Sequence, residues 1–236
     1  MLSANLMTLS NFEVDPQETA LLSSYDTRLT PRGVRRQTGL LEAALRIIVR
    51  EGSSAVTHRS VVSEARASYG SVAYYFGSRK KLIRETLRFV AQQNVQALSE
   101  SWKEIERHGT DVHAIATLVA RHSTHQMIED RRMGIVIHQL HMAAARDPSL
   151  RPIIRAWGRA YARIMRGTLC AIGSKNPAAD AALLINAING MVIGQLAIPR
   201  ENFESEVLRP TLERLLIGIG QCSTVFSPKS LRRRKR

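Results

Sequence analysis

The sequence predicts an all-α fold of about nine helices, and three observations support this. Apolar residues make up 44% of the 236 residues, whereas aromatic residues make up only 5%. Ala, Leu, Arg, Glu and Gln, which favour helix, are abundant. Apolar residues recur every three to four positions, and no alternating strand pattern competes with that period. A chain of this length can bury a sizeable core.

The predicted helices follow one another with short connections. The first begins at Pro31, since Thr30 before it is a good N-cap and Pro suits the first helical position, and it ends at Gly52. A short helix follows Thr57, a second short helix follows Ser68, and a long helix runs from Ser78 to about Gly109. The later helices are predicted at about 110–130, 132–145, 147–169, 178–198 and 203–222.

The formal net charge of +14 is unevenly distributed. Residues 28–84 contain twelve Lys or Arg against three acids, and residues 227–236 contain six Lys or Arg and no acid. A basic segment as long as a small domain is typical of a protein that binds a polyanion, although a basic face is often only solvated. The basic C-terminal tail, 224–236, is either a disordered end or a source of sequence-independent phosphate affinity.

The chain ends and cysteines indicate a cytoplasmic protein. Residues 1–30 lack the basic and apolar regions of a signal peptide and are expected to form a mobile arm. Cys170 and Cys222 form neither a disulfide framework nor a metal-binding pair, so both are expected to be buried thiols in a reducing compartment.

The segment 181–198 carries no charged residue, which is borderline for a membrane span. Asn186, Asn189 and Gln195 interrupt it, and no basic flank gives it an orientation. A helix buried on most sides, in a core or a subunit interface, is therefore the favoured interpretation.

The two short helices and their connection predict a helix-turn-helix, residues 57–76. In that motif the second helix enters the major groove, which is wide enough for one helix. Val72 and Phe76 are predicted to face the core. The opposite face is small and polar enough for a close approach to DNA, through Ser68, Tyr69, Gly70, Ser71 and Ala73.

Residues 57–82, THRSVVSEARASYGSVAYYFGSRKKL, resemble the DNA-binding motif of TetR-family transcriptional regulators. The matching positions are Thr57, Val61, Val62, Ala65, Ser68, Gly70, Tyr74, Tyr75, Phe76, Ser78, Arg79 and Leu82. Residues 143–157 resemble the linker and helix start of the family's ligand-binding domain, and residues 185–196 resemble its dimerisation helix.

The resemblance implies a dimeric one-component regulator, most readily a repressor that binds a palindromic operator and is released by a small molecule. It implies a DNA-binding domain at 31–77 and an effector-binding and dimerisation domain at 78–223. The alternatives are a non-specific nucleic-acid-binding helical protein and a helical enzyme. The sequence contains no P-loop, GxSxG or HExxH motif, so no catalytic residue and no cofactor is expected.

The resemblance also assigns roles to residues. Phosphates would be bound by Thr57, Tyr74, Tyr75 and Arg79, whereas base edges would be read by Arg59, Ser68, Tyr69 and Ser71. Gly70 and Lys80 complete the predicted DNA-binding set. Two departures from the family pattern are Ala73, where many members have Tyr or Thr, and Arg66, where Gly is usual. A left-handed Arg66 would cost about 1 kcal/mol.

The effector pocket and the dimer interface are predicted on the later helices. The pocket set is Trp102, Met127, His138, Met142, Trp157, Tyr161 and Asn189, although the spacing of these residues also fits an ordinary core. The interface set is Leu184, Ile188, Met191, Gly194, Leu212 and Leu216.

Two repeated patterns have competing interpretations. His122, His125, His138 and His141 have spacings that suit metal binding, but no Asp, Glu or Cys stands at matching positions, so core or pocket histidines are favoured and no metal is expected. Arg151, Arg155, Arg159 and Arg163 form a stripe that is either a solvated face or is paired with acids on another helix.

Overall fold

The computed structural model describes residue 22 and residues 29–221, and this part of the chain contains nine α-helices and no strand. The predicted all-α fold is therefore confirmed. The helices are α1 (Pro31–Glu51), α2 (His58–Ala65), α3 (Tyr69–Phe76), α4 (Arg79–Glu106), α5 (Val112–Thr124), α6 (Arg131–Arg146), α7 (Arg151–Ala171), α8 (Pro177–Ala197) and α9 (Arg209–Gln221). Most of the predicted arm and all of the predicted tail lie outside the described residues.

Four hydroxyl side chains begin the first four helices, as the sequence predicts. Thr30 Oγ1 accepts a hydrogen bond from the N–H of Gly33, Ser68 Oγ accepts from Ser71, and Ser78 Oγ accepts from Lys81. Thr57 takes part in a reciprocal capping box with Ser60. These bonds satisfy N–H groups that have no partner within the helix, so each start is fixed locally.

Three residues with positive φ end α1, α2 and α3. Gly52 ends α1 with φ of 84°, and Gly77 ends α3 with φ of 64°, conformations that glycine adopts without a steric penalty. Arg66 ends α2 with φ of 47° and ψ of 43°. Arg66, which stands where the family usually has glycine, therefore has a left-handed conformation.

Two hydrophobic clusters form the core. The first joins residues of α1–α3, among them Leu41, Val61, Val72 and Phe76, to the first half of α4 and to parts of α6 and α7. The second joins the end of α4 to α5, α8, α9 and the end of α7. The first cluster thus continues across residue 77, where the sequence places a domain boundary. Within it α6 packs directly against α1, the helix that supports the helix-turn-helix.

Helix α8 is less buried than the sequence predicts. Among the described helices it alone is long and apolar enough to cross a membrane, with a mean hydropathy of 1.3, but only 28% of its apolar window is buried in the protomer. The core alternative is therefore wrong for the single chain, whereas burial in a subunit interface stays a prediction. Its outward face is apolar and small, through Ala182, Leu183, Gly190, Ile193, Gly194 and Ala197.

The prediction that both cysteines are buried is also wrong for Cys170, which is an exposed free thiol near the end of α7. Cys222 lies outside the described residues. The apolar period of α7 places its buried residues at Met165 and Leu169, and Cys170 is one position past that face.

Candidate DNA-binding surface and effector cavity

Two ion pairs hold α2 against α1. Arg46 Nε lies 2.7 Å from Glu64 Oε1, and Arg50 Nη1 lies 3.1 Å from Glu64 Oε2. Hydrogen bonds from Arg46 and Arg50 lower the pKa of Glu64, so this carboxylate stays charged near neutral pH. The bridged helices provide a fixed support for α3.

Helix α3 separates its buried and exposed residues by face. Val72 and Phe76 have no exposed surface, whereas Tyr69 is 61% exposed and Tyr74 is 75% exposed. Gly70 lies on the same outer side, and a side chain there would meet open space. The ring of Tyr69 makes an edge contact with that of His58, 6.1 Å between centroids. The outer side of α3 is therefore free to approach a large partner.

A concave surface, here called the basic groove, lies between the start of α1 and α3. Its walls are Thr30, Arg32, Gly33, Arg35 and Arg36 on one side, and Ser68, Gly70, Ser71, Tyr74 and Tyr75 on the other. Arg36 Nη2 lies 3.3 Å from Ser71 Oγ and joins the two walls. The three arginines were absent from the predicted set, because the motif resemblance begins only at residue 57.

Arg79 lies where it was predicted, but most of its donors point inward. Its Nε donates to the carbonyl of Val56 at 2.8 Å, and its Nη2 donates to the carbonyls of Ser53 and Ser54 at 3.3 and 3.1 Å. Arg79 therefore joins the start of α4 to the turn before α2. These bonds give Arg79 a positioning role within the protein, and its contact with phosphate stays a prediction.

Other predicted DNA-binding residues also have partners within the protein. Lys80 Nζ lies 3.7 Å from Asp147 Oδ2, in the connection between α6 and α7. Tyr75 is half-buried and packs against the first cluster, with its ring 5.1 Å from that of Tyr74. The hydroxyl of Thr57 is engaged in its capping box, whereas Arg59 is exposed on α2.

A cavity of about 510 Å³ lies among α4, α5, α6, α7 and α8. Five of the predicted pocket residues line it: Trp102, Met127, Trp157, Tyr161 and Asn189. The other two do not. His138 turns its ring nitrogens to the carbonyls of Gly134 and Asn189, at 2.8 and 3.4 Å, and Met142 is 52% exposed.

The register of α6 explains why these two residues do not line the cavity. Ile137 and His141, four positions apart, line the cavity from this helix. His138 and Met142 are each one position further along, which turns them about 100° away. The apolar period of the sequence predicts which face of a helix points inward with a precision of only about one residue.

The cavity wall carries polar groups whose partners the sequence did not reveal. Trp102 Nε1 donates to Thr168 Oγ1 at 3.0 Å, and His122 Nδ1 lies 2.9 Å from Ser101 Oγ. The N–H of Trp157 is buried without a hydrogen bond of normal geometry among the described residues. The sequence favoured His122 and His141 as core or pocket histidines, and both line the cavity. They lie on two different helices and meet only in the folded chain.

Burial favours the neutral forms of two histidines and one tyrosine in the wall. It lowers the pKa of His122 to about 4, with a further contribution from His125, and it lowers the pKa of His141. Burial raises the pKa of Tyr161 to about 12. At neutral pH both imidazoles and this phenol are therefore uncharged.

The charged residues at the wall are arginines. Arg155 and Arg159, one turn apart on α7, line the cavity, and none of the described lining residues is Asp or Glu. Both are exposed and stand at its rim. Two members of the arginine stripe are thus part of the cavity wall.

The four histidines do not assemble into a metal site. Across the described residues, no group of three or more His, Cys, Asp or Glu is placed to hold a metal ion. His125 Nδ1 instead lies 2.8 Å from Glu129 Oε2, and His141 Nδ1 lies 2.8 Å from the carbonyl of Ile137.

Four of the six predicted interface residues are buried inside the protomer. Leu184, Ile188, Leu212 and Leu216 are 0–8% exposed and belong to the second cluster, so they are corrected to core residues. Met191 is half-buried, and Gly194 is exposed. The exposed large apolar side chains of α8 and α9 are Leu183, Ile193 and Ile217.

A helix-turn-helix with an exposed recognition face, joined to a helical domain with an internal cavity, defines a DNA-binding transcriptional regulator. Comparison with known proteins agrees. Residues 40–86 match the model of the family "Bacterial regulatory proteins, tetR family", and residues 107–218 match "Tetracyclin repressor-like, C-terminal domain". The chain belongs to the TetR family.

Individual relatives are distant. The nicotine-responsive transcriptional repressor HdnoR of Paenarthrobacter nicotinovorans is 29% identical over 115 residues, which cover 49% of this chain and 57% of that one. An uncharacterised helix-turn-helix regulator of Xanthobacter autotrophicus is 24% identical over 183 residues, covering 76% and 90%. The multidrug binding protein EbrR, solved with imidazole, is 25% identical with a TM-score of 0.56, covering 79% and 97%.

Proposed function

We propose that this protein is a cytoplasmic, dimeric transcriptional repressor that binds a palindromic operator and is released from it when a small molecule fills the cavity. The outer side of α3 is the observation that carries the DNA-binding part. Tyr69, Gly70 and Tyr74 are exposed there, opposite the core residues Val72 and Phe76. A helix whose outer face carries hydroxyl groups and a glycine suits the major groove.

The basic groove complements this helix. Arg32, Arg35 and Arg36 stand at the start of α1, beside Tyr74 and Ser71. When α3 enters the major groove, the arginines would lie along the flanking phosphates. Phosphate contacts set the position of a reader, and contacts to base edges set its sequence preference. We therefore assign Tyr69 and Ser71 to contacts with base edges. Tyr74 and the three groove arginines are assigned to contacts with phosphates.

The outward stripe of α8 supports the dimer. Ala182, Leu183, Asn186, Gly190, Ile193, Gly194 and Ala197 are exposed at helical spacing, and α9 exposes Ile217 and Gly218. Exposed apolar surface of this extent is typical of an interaction site. Small residues along it allow close helix contact, so a second copy of the chain would cover the face.

Helix α6 links the cavity to the DNA-binding helices. Its residues Ile137 and His141 line the cavity, whereas Val136, Leu140 and Ala144 pack in the first cluster with α1. Nearby, Lys80 is paired with Asp147 just after α6. A ligand that displaces α6 would therefore move α1–α3 and change the separation of the two recognition helices, which must match half-sites about 34–36 Å apart.

Selection from random or genomic DNA tests the operator. We expect enrichment of one palindrome that is bound at physiological salt about 10³-fold or more above non-specific DNA. Recovery of sequences without a shared palindrome would contradict the proposal and favour a non-specific binder. Ligands that co-purify with the protein, identified by mass spectrometry, should release that palindrome in an anisotropy assay.

A matched pair of substitutions tests the dimer. Ile193 on the outward stripe is 51% exposed, and Met142 on α6 is 52% exposed. We expect Ile193→Glu to shift the mass measured by light scattering towards the monomer, because it places a charge in an apolar interface. Met142→Glu should leave the mass unchanged. A dimer unaffected by Ile193→Glu would place the interface elsewhere.

A further inference from the structure

We propose that the cavity selects an aromatic anion, whose ring system lies among Trp102, Trp157 and Tyr161 and whose acid group lies at Arg155 on the rim. This inference rests on the proposed role of the cavity as the effector site. It adds the chemical class of the effector, which neither the family nor the relatives fix for this chain.

The ring part of the ligand follows from the inner wall. Trp102 and Trp157 are 3% and 6% exposed, and the Trp157 and Tyr161 rings meet edge to face, 6.1 Å between centroids. Met127, Leu98 and Ile137 extend the same wall. A flat ring system buries much apolar area against such side chains and makes favourable ring contacts with them.

The charge of the ligand is inferred from the charged residues that line the cavity. The described lining residues include the exposed Arg155 but no Asp or Glu, and Arg159, which already has an interaction of its own, is not needed for the inference. A cation in this cavity would lose its hydration without a carboxylate to replace it, which is strongly unfavourable. An anion at the rim would receive charge-assisted hydrogen bonds from the guanidinium of Arg155, in the geometry that Arg offers to an acid group.

Two features of the interior agree with an anion at the rim and a neutral ring inside. His122 and His141 remain uncharged because burial disfavours their cationic forms, and the same burial would disfavour a cationic ligand. The buried N–H of Trp157 has the Tyr161 hydroxyl beside it but no hydrogen bond of normal geometry, so an acceptor atom on the ligand would share this donor.

Fluorescence provides the test, because the only two tryptophans of the chain both line the cavity. The probes are 1-anilinonaphthalene-8-sulfonate, its neutral counterpart N-phenyl-1-naphthylamine, and the cationic dye ethidium, with which EbrR has been crystallised. Energy transfer from tryptophan to the bound probe reports binding in the cavity. We expect the sulfonate to bind at least about tenfold more tightly than the neutral probe, with ethidium weakest.

Substitutions on α7 test whether Arg155 causes the preference for an anionic ligand. Arg155→Gln should weaken sulfonate binding about five- to tenfold and leave the neutral probe unchanged. Arg166→Gln is the control, because Arg166 is exposed on the same helix and does not line the cavity. Gly158→Leu, at a lining position where an added Cβ meets open space, should weaken binding of both naphthyl probes by filling the entrance.

Three results would overturn the inference. Equal affinity for the neutral and anionic probes, tighter binding of ethidium, or equal effects of Arg155→Gln and Arg166→Gln would each remove the charge selectivity. If no probe received energy from tryptophan, both this inference and the proposed effector role of the cavity would be wrong. Operator binding is measured without any probe, so failure of the DNA-binding proposal is a separate result.

Discussion

The side chain of Arg79 bonds to the main chain more than 20 residues before it: its Nε donates a 2.8 Å hydrogen bond to the carbonyl of Val56. With two further bonds to Ser53 and Ser54, the guanidinium joins the first turn of α4 to the segment that leads into α2. The helix-turn-helix is thus tied to the long helix behind it through a residue that the family motif marks for DNA.

We expect Arg79→Ala to lower the free energy of unfolding by about 2 kcal/mol, since three carbonyls lose a charged donor. DNA binding should weaken for all sequences alike, because the position of α2 and α3 is disturbed. Urea denaturation and operator titration measure the two effects. Lys81→Ala, an exposed neighbour, serves as the control, and an Arg79→Ala protein of unchanged stability would restore a purely DNA-directed role.

Tyr69 and Tyr74 should respond differently to substitution. Tyr74→Phe removes a hydroxyl beside the basic groove and should weaken binding to all operator variants equally, whereas Tyr69→Ala should change which variants are preferred. A panel of single-base operator variants, titrated at constant salt, distinguishes the two patterns. If Tyr69→Ala weakened every variant by the same factor, Tyr69 would be a positioning residue.

Arg66→Gly should stabilise the protein. The left-handed conformation of Arg66, φ of 47°, is unfavourable for a residue with a Cβ by about 1–2 kcal/mol. The greater freedom of glycine in the unfolded chain offsets part of this, so a net gain of about 0.5–1 kcal/mol is expected. Thermal unfolding measures it, and Arg66→Ala, which keeps the Cβ, should give no gain.

Gly39 and Gly134 form a matched pair of helical glycines. A Cβ on Gly39 in α1 meets open space, so Gly39→Ala should stabilise by about 0.5–1 kcal/mol. A Cβ on Gly134 in α6 would overlap the carbonyl oxygen of Met127. Gly134→Ala should therefore destabilise the protein and shift α6 against the π-helical turn His125–Glu129 that precedes it. In chemical denaturation we expect Gly39→Ala to raise the free energy of unfolding and Gly134→Ala to lower it. A stabilising Gly134→Ala would contradict the packing described.

His122 should make stability depend on pH. Its pKa is about 4 in the folded chain and about 6.5 in the unfolded chain, so the unfolded state binds more protons between these values and stability falls as pH decreases. At pH 5 the loss from this group is about 2 kcal/mol relative to neutral pH. His122→Gln should reduce the difference in unfolding free energy between pH 7 and pH 5, and an unchanged difference would contradict it.

Much of the fold follows from local chemistry. Thr30, Thr57, Ser68 and Ser78 begin their helices because a hydroxyl next to the first turn satisfies free N–H groups, and this requires no distant partner. Gly52 and Gly77 end helices for an equally local reason. Val72 and Phe76 were placed in the core by their period alone, and their burial is confirmed.

What the sequence by itself determined is therefore the set of helices, the DNA-binding motif and the family. The tertiary structure decided which side chains are available: Arg79 bonds inward, Leu184 and Leu212 are core residues, and Ile193 faces outward. It also brought Trp102, His122 and Trp157 to one cavity from three helices that are distant in the sequence. Helix period and capping depend on neighbours within about four residues, whereas a cavity depends on contacts between helices far apart in the chain.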